Sequence, residues 1–154
     1  MNDKRRMIPA RRIRNSELQE LAREAHGFLS AHKWCARIKS QHLAWGIAGV
    51  IAVFFFRISP SAAGVDKELW VVVGDIPPAY IVTPKHDGWQ SALNGYVNEM
   101  RHWVRAARAR RSVEKLIPVN VPPTLEYANM LGSRLTFITR EFLSAPPGSL
   151  PRNI

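Results

Sequence analysis

The sequence predicts an α+β domain, an antiparallel sheet of at least three strands with about three helices packed on it. Three observations support this fold class. Apolar runs of strand length follow one another in the middle of the chain, separated by short turn-forming segments. Segments with apolar residues at helical spacing lie before and after these runs. The chain has 154 residues and is 46% hydrophobic, which suffices for the buried core of one domain.

The first predicted helix opens at Asn15-Ser16, and Ser16 has the spacing of a capping box with Gln19. Its apolar positions recur at helical intervals from residue 18 to residue 29, and the pattern fades near Ala31. The next segment, residues 34–45, fits either a short strand or a turn of helix.

The longest apolar run, residues 43–56, has 14 residues and lies in an uncharged span of 17, residues 40–56. A helix that crosses a bilayer needs about 20 residues. Gly46 and Gly49 weaken a helix here, whereas the β-branched and aromatic residues 50–56 favour a strand. We therefore expect a buried strand over 50–58, either a central strand covered on both faces or a strand in a tight sandwich, with a transmembrane helix as the alternative.

Two more strands, 69–73 and 79–83, are predicted on either side of a five-residue hairpin loop. The motif residues of this loop are Gly74, Asp75, Pro77 and Pro78. Asp75 follows a strand end, where catalytic carboxylates are often found, but no second acid, His or metal ligand is adjacent in sequence. We interpret the motif as a turn, with an enzyme centred on Asp75 and served by His86 or His102 as the alternative.

The second predicted helix runs from Gly88 to about Arg111, with Asp87 as its cap and an apolar stripe that faces the core. A basic stripe lies opposite, formed by Arg101, Arg105 and Arg108. This stripe also complements the helix dipole, so helix stability alone can explain it. Trp103 lies off the apolar stripe, where it can contact a partner or cover a second packed layer.

Prolines exclude a helix in the connector 116–124. Thr124 is expected to cap a third helix, whose apolar face carries Ala128, Leu131, Leu135, Ile138 and Phe142.

The net charge of +10 is concentrated in two segments. Residues 1–14 hold six Lys and Arg and one Asp, and residues 99–111 hold five Arg and one Glu. We predict a flexible basic tail over 1–14, a single domain over 15–144 and a flexible tail over 145–154. Translation can also start at Met7. A basic tail attracts nucleic acid or anionic lipid without sequence choice, unless it only solubilises the chain. The candidate contacts to nucleic acid or a protein partner are Arg5, Arg6, Arg11, Arg12, Arg101, Arg105, Arg108 and Trp103.

The common catalytic motifs for nucleotide binding, serine hydrolysis and zinc proteolysis do not occur in the sequence. The spacing of His32 and Cys35 does not match a structural zinc site, and one cysteine cannot form an internal disulfide. We therefore predict no cofactor and no metal, and we expect Cys35 to be a buried thiol.

The motifs "WVVVGDIPPAYI" (70–81) and "IPVNVPPTLEYANMLGSRL" (117–135) resemble those of a family of small uncharacterised bacterial proteins, a domain of unknown function. The segments around Trp34-Cys35 and 53–58, and Tyr96 followed by 103–106, are also similar to it. The resemblance covers roughly residues 34–143 and implies a soluble cytoplasmic protein. It identifies a family without an activity.

These observations predict a non-catalytic protein-interaction module, for example with the role of an immunity protein or an antitoxin, that binds an unidentified protein partner and no membrane. The alternative is a nonspecific nucleic-acid-binding protein that uses the basic tail and the arginine stripe. Of the three hypotheses about function, an enzyme has the least support from the sequence.

Overall fold

The structure, a computed structural model, describes residues 7–144. A five-stranded antiparallel sheet runs through this part of the chain in the order β1-β2-β3-β4-β5. Every strand pairs with its neighbour in sequence, so the sheet is a meander. The strands are β1 (Ile8–Pro9), β2 (Cys35–Ile47), β3 (Ile51–Pro60), β4 (Glu68–Gly74) and β5 (Ile76–Ile81).

Three helices pack on the two faces of the sheet, which confirms the predicted α+β class. One face is covered by α1 (Ser16–Ser30). The other is covered by α2 (Trp89–Arg108) and α3 (Leu125–Ile138), and α3 continues as a π-helical turn, Thr139–Leu143. The buried apolar side chains therefore form two clusters, one on each face of the sheet.

The strand β3 lies at the centre of the sheet and contributes to both clusters. Its first six residues, 51–56, are all buried, as expected for a strand covered on both faces. The uncharged run of the sequence forms the end of β2, a turn at 48–50 and most of β3, which confirms the predicted buried strand. Among the helices within residues 7–144, none is long and apolar enough to cross a membrane.

The ambiguous segment 34–45 belongs almost entirely to β2, the longest strand of the described sheet. Its pairing with β3 is interrupted by three register shifts, which explains why its sequence lacks a clean strand alternation.

Two of the three expected helix caps differ from the structure. The side chain of Asn15 caps α1 by accepting a hydrogen bond from the Leu18 amide. The Gln19 side chain donates to the carbonyl of Ile13 instead of pairing with Ser16. The prediction of a capping box was therefore wrong. Gly88, not Asp87, occupies the cap position of α2. The expected cap of α3 is confirmed, because the Thr124 hydroxyl accepts from the Tyr127 amide at 3.2 Å.

The segment expected to be a flexible basic tail differs from that expectation over residues 8–13. Ile8 pairs with Leu43 at the edge of β2, and a short 3-10 turn follows at Ala10–Arg12. Ile13 is buried in the cluster beneath α1. Apolar side chains interspersed among the arginines thus attach this segment to the domain. Residues 1–6 and 145–154, also predicted as tails, lie outside the described residues.

The hairpin between β4 and β5 is tighter than the wide loop expected from the sequence. Gly74 pairs with Ile76, so only Asp75 lies between the two strands. Pro77 and Pro78 are part of β5 rather than of a loop. Proline is tolerated there because β5 is an edge strand of the described sheet and has one side without a neighbouring strand.

Candidate interaction surface

Two residues of the arginine stripe of α2 donate hydrogen bonds to α3 and to the π-helical turn that follows it. The Arg101 guanidinium donates a hydrogen bond to the Thr139 hydroxyl at 3.1 Å. Arg108 donates from Nε to the side-chain oxygen of Asn129 at 3.0 Å. Both acceptors are neutral, so these hydrogen bonds orient the arginines without neutralising their charge. Arg105, between them, is exposed.

The arginines of the N-terminal segment lie on a different part of the fold. Arg11 and Arg12 are exposed in the short turn that follows β1. Burial lowers the pKa of His42 on β2, and the positive charges of Arg57 and Arg11 lower it further. Arg5 and Arg6, which the sequence analysis also named as candidate contacts, lie outside the described residues.

Trp103 is not a surface contact. Its side chain is 1% exposed, and it belongs to the cluster that joins α2 and α3 to the sheet. Its position off the main apolar stripe reflects two-sided burial, since α2 contacts both the sheet and α3. Of the two expectations for this residue, the second packed layer is the one that the structure bears out.

The Gly74-Asp75 turn lies against two other parts of the molecule. The Asp75 amide donates to the carbonyl of Val50 at 2.9 Å, which joins this turn to the turn between β2 and β3. The Asp75 carboxylate accepts from Arg134 of α3, at 3.3 Å between Nε and Oδ2, in a solvent-exposed ion pair. Both contacts support the interpretation of the motif as a shaped turn.

The prediction of catalysis at Asp75 required an acid, a histidine or a metal ligand beside it. The ionisable group that the structure places there is Arg134. Across residues 7–144, no three His, Cys, Asp or Glu side chains are grouped so that they could hold a metal ion. Cys35 is buried as expected, and burial raises the pKa of its thiol, which therefore stays protonated at neutral pH.

One surface that the sequence analysis missed is the side of α3 that points away from the core. We define the α3 outer face by Glu126, Met130, Ser133 and Phe137 of α3 together with Arg140 of the π-helical turn that continues it, all of which are exposed. Met130 is 44% exposed and Phe137 is 43% exposed. They are seven residues apart, close to two helical turns, so they lie on one line along the helix.

More apolar surface borders the α3 outer face. Tyr127 and Leu125 of the same helix are 39% and 61% exposed. Thus α3 carries four of the seven large hydrophobic side chains that are exposed in the described part of the chain. The signal in the sequence was the apolar character of Met130 and Phe137, which do not belong to the core-facing set of α3.

A cavity of about 510 Å³ lies along the edge strand β5, between the end of α1, the middle of α2 and the connector before α3. Its walls combine apolar and aromatic side chains with one carboxylate, Glu99, and one ammonium, Lys115. His32 is fixed at one end, because its Nδ1 lies 2.9 Å from the carbonyl of Phe28 and must carry the proton there. The rings of Trp34 and Tyr80 pack against the same imidazole. Sequence analysis did not find this cavity, because its walls come from four separate segments.

No family model, curated protein or solved structure matches this chain. The resemblance to a bacterial family with a domain of unknown function therefore stays a prediction.

Proposed function

We propose that this chain is a non-catalytic protein-interaction module that binds a partner protein through the α3 outer face. The observation that carries the proposal is the exposure of Met130 and Phe137 on a helix whose opposite side is fully packed into the core. Burial of large apolar side chains in an interface removes them from water, which favours association by roughly 25 cal/mol per Å². A helix with two aligned apolar anchors is a common way to present such surface.

The charge around this face indicates how a partner is oriented. Arg108 of α2 contacts Asn129 of α3, Arg101 contacts Thr139 of the π-helical turn that follows α3, and Arg105 between them is exposed. Charged residues at the rim of an interface influence association rate and orientation more than affinity. The proposal therefore assigns affinity to the apolar side chains and orientation to the charged ones.

Binding that blocks the activity of a partner, as an immunity protein or antitoxin does, is one form of this function. We place the module in the cytoplasm, in keeping with its one cysteine, a free and buried thiol.

The test is a capture experiment from cell lysate with the tagged full-length chain, after nuclease treatment and at low and high salt. The variant Met130→Glu/Phe137→Glu places two carboxylates on the α3 outer face. The matched control is Val82→Glu, which adds a carboxylate at another exposed apolar position. We expect the wild type and the control to retain the same protein, and the α3 variant to lose it. Equal retention by all three, with unchanged far-ultraviolet circular dichroism, would contradict the proposal.

The alternative function is nonspecific binding of nucleic acid. The observation in its favour is that Arg11, Arg12 and Arg105 are exposed, in a chain of net charge +10. Its affinity should fall steeply with salt, because every neutralised phosphate releases counterions. Capture of nucleic acid that is lost at high salt, and is weakened by Arg11→Ala/Arg12→Ala but not by the α3 variant, would favour this alternative.

A further inference from the structure

The charges on the α3 outer face are arranged symmetrically about its middle. Glu126 lies seven residues before Ser133, and Arg140 lies seven residues after it. Seven residues are close to two turns, so Glu126 and Ser133 share one side of α3, and Arg140 follows in the π-helical turn that continues the helix. The face therefore carries a negative charge at one end, a positive charge at the other and a small side chain at its centre.

Two copies of such a face complement each other when they pack antiparallel about a twofold axis at Ser133. Glu126 of each copy then lies opposite Arg140 of the other, and both ends of the interface hold opposite charges. Met130 lies three residues before the axis and Phe137 four residues after it, so each Met130 meets a Phe137 to within one residue, about 1.5 Å along the helix.

We infer that the partner of the α3 outer face is a second copy of this chain, and that the two copies form an antiparallel, twofold-symmetric dimer through α3. This inference rests on the proposed function, because it names the partner that the same surface binds. A twofold dimer uses one patch twice, which requires a self-complementary patch, and this face meets that requirement in both charge and apolar content.

The charged ends are exposed and accessible to such an interface. Arg140 forms an ion pair with its neighbour Glu141 at 3.1 Å, but both side chains are well exposed. Exposed ion pairs of this kind add little stability and exchange readily. Arg140 can therefore turn toward a carboxylate on a second copy, and Ser133 lets the two helix backbones approach closely where they cross.

The size of the surface indicates a modest affinity. Helix α3 has 14 residues and is roughly 21 Å long by the rise of an α-helix. Stable interfaces bury about 800 Å² on each partner, which is more than one helix of this length supplies by itself. We therefore expect a reversible dimer with a dissociation constant on the order of 10 µM.

The experiment is sedimentation equilibrium of the full-length chain over a range of concentrations from about 1 to 300 µM, chosen to bracket this constant. We compare the wild type, Glu126→Arg and Arg140→Glu. Each substitution turns both attractive pairs of the dimer into repulsive ones, and should raise the dissociation constant by about tenfold. The control Glu20→Arg makes the same charge change on an exposed position of α1 and should leave the constant unchanged.

An equimolar mixture of Glu126→Arg and Arg140→Glu gives the decisive result. At one end of the mixed dimer, the introduced arginine of the first variant lies opposite the introduced glutamate of the second. At the other end, the unchanged Arg140 of the first lies opposite the unchanged Glu126 of the second, so both pairs are again attractive. The mixture should therefore associate more tightly than either variant alone, and the double variant Glu126→Arg/Arg140→Glu should recover the affinity of the wild type. A wild type that stays monomeric at all concentrations, or a mixture no tighter than its components, would overturn the inference.

The outcome is distinguishable from failure of the proposed function. If the wild type is monomeric but another protein is captured and is lost from Met130→Glu/Phe137→Glu, the proposed function holds and the inference is wrong. If the wild type is monomeric and nothing captured depends on the α3 outer face, both are wrong. Association of the wild type that Met130→Glu/Phe137→Glu abolishes, together with recovery in the charge-exchanged mixture, supports both.

Discussion

At the scale of single residues, Tyr96 shows how a buried hydroxyl connects two layers of the fold. Its side chain is fully buried in the core-facing stripe of α2, as its sequence position indicated. Its hydroxyl donates to the carbonyl of Pro77 in β5 at 2.6 Å. This contact supplies a hydrogen bond to a carbonyl of the edge strand and fixes α2 against the hairpin. Burial raises the pKa of Tyr96 far above its usual value of 10.

We expect Tyr96→Phe to lower the free energy of unfolding by about 1–3 kcal/mol at pH 8, because the Pro77 carbonyl loses its buried donor. The folded state keeps this phenol protonated, whereas the unfolded state releases the proton near pH 10. The stability that the neutral phenol provides is therefore present below pH 10 and declines as the pH rises above it. Phenylalanine has no such dependence, so the difference between the two proteins should narrow above pH 10.

Urea unfolding of both proteins between pH 8 and pH 11 measures this effect. Tyr127→Phe, at an exposed position, is the matched control and should change the free energy by less than about 0.5 kcal/mol at pH 8. A difference between the wild type and Tyr96→Phe that stays constant across this pH range would contradict the assigned role.

At the scale of elements, the β4–β5 hairpin depends on a backbone conformation that favours glycine. Gly74 has φ +144°. A Cβ at this position would lie 2.7 Å from the Ile51 Cα and closer still to the Val50 carbonyl oxygen. Both obstacles are backbone atoms of the neighbouring β2–β3 hairpin, which cannot move aside as a flexible side chain can. Gly74 thus allows two adjacent turns to pack together and carries the chain directly into β5.

We expect Gly74→Ala to destabilise the protein by more than about 3 kcal/mol, because the strained backbone angle and the steric overlap add together. Gly64→Ala is the matched control, since Gly64 also has a positive φ, +85°, but no atom lies within 4 Å of an added Cβ. It should lose only about 1 kcal/mol through the backbone angle alone. Chemical denaturation of the two variants separates the terms, and equal losses would show that close packing of the turns is not what requires Gly74.

At the scale of the whole molecule, the three-layer arrangement concentrates stability in the middle of the sheet. The strand β3 is paired on both sides and covered on both faces, and β4 is buried along 69–73. The edge strands β1 and β5 each have one neighbouring strand in the described sheet. Local opening should therefore begin at the edges, and the opening of β3 should require unfolding of the domain.

Native-state hydrogen exchange tests this order. The amides of β3 should exchange with free energies within about 1 kcal/mol of global unfolding, and the amides at 79–81 of β5 should exchange through smaller openings. The same order is expected in the Val82→Glu protein, which alters a surface position beyond β5. Protection of β5 equal to that of β3 would contradict the assignment of β5 as a free edge.

The helices that position the candidate surface were predicted from the sequence, although the surface itself was not, and the reason is local. The buried set of α3 and the basic stripe of α2 depend on helical spacing, and the Thr124 cap depends on a hydroxyl residue at the helix start, so the sequence predicted all three. Whether Arg101 and Arg108 face solvent or a second helix depends on how α2 packs against α3. The sequence analysis gave Met130 and Phe137 no role for the same reason, because helical spacing shows that they share a side but not that this side stays partly exposed.

The three helices, the strands β3, β4 and β5, the α+β class and the double coverage of β3 were determined by the sequence, because each follows from the pattern of apolar residues over a short stretch. The strand β1 was expected to be part of a tail, and the segment that forms β2 was ambiguous. Only the tertiary structure decided that Trp103 is buried, that Pro77 and Pro78 lie within an edge strand, and that residues 8–13 attach to the sheet. It also decided that α3 leaves apolar side chains exposed. Each of these depends on contacts between segments far apart in the chain, which no local pattern of residues encodes.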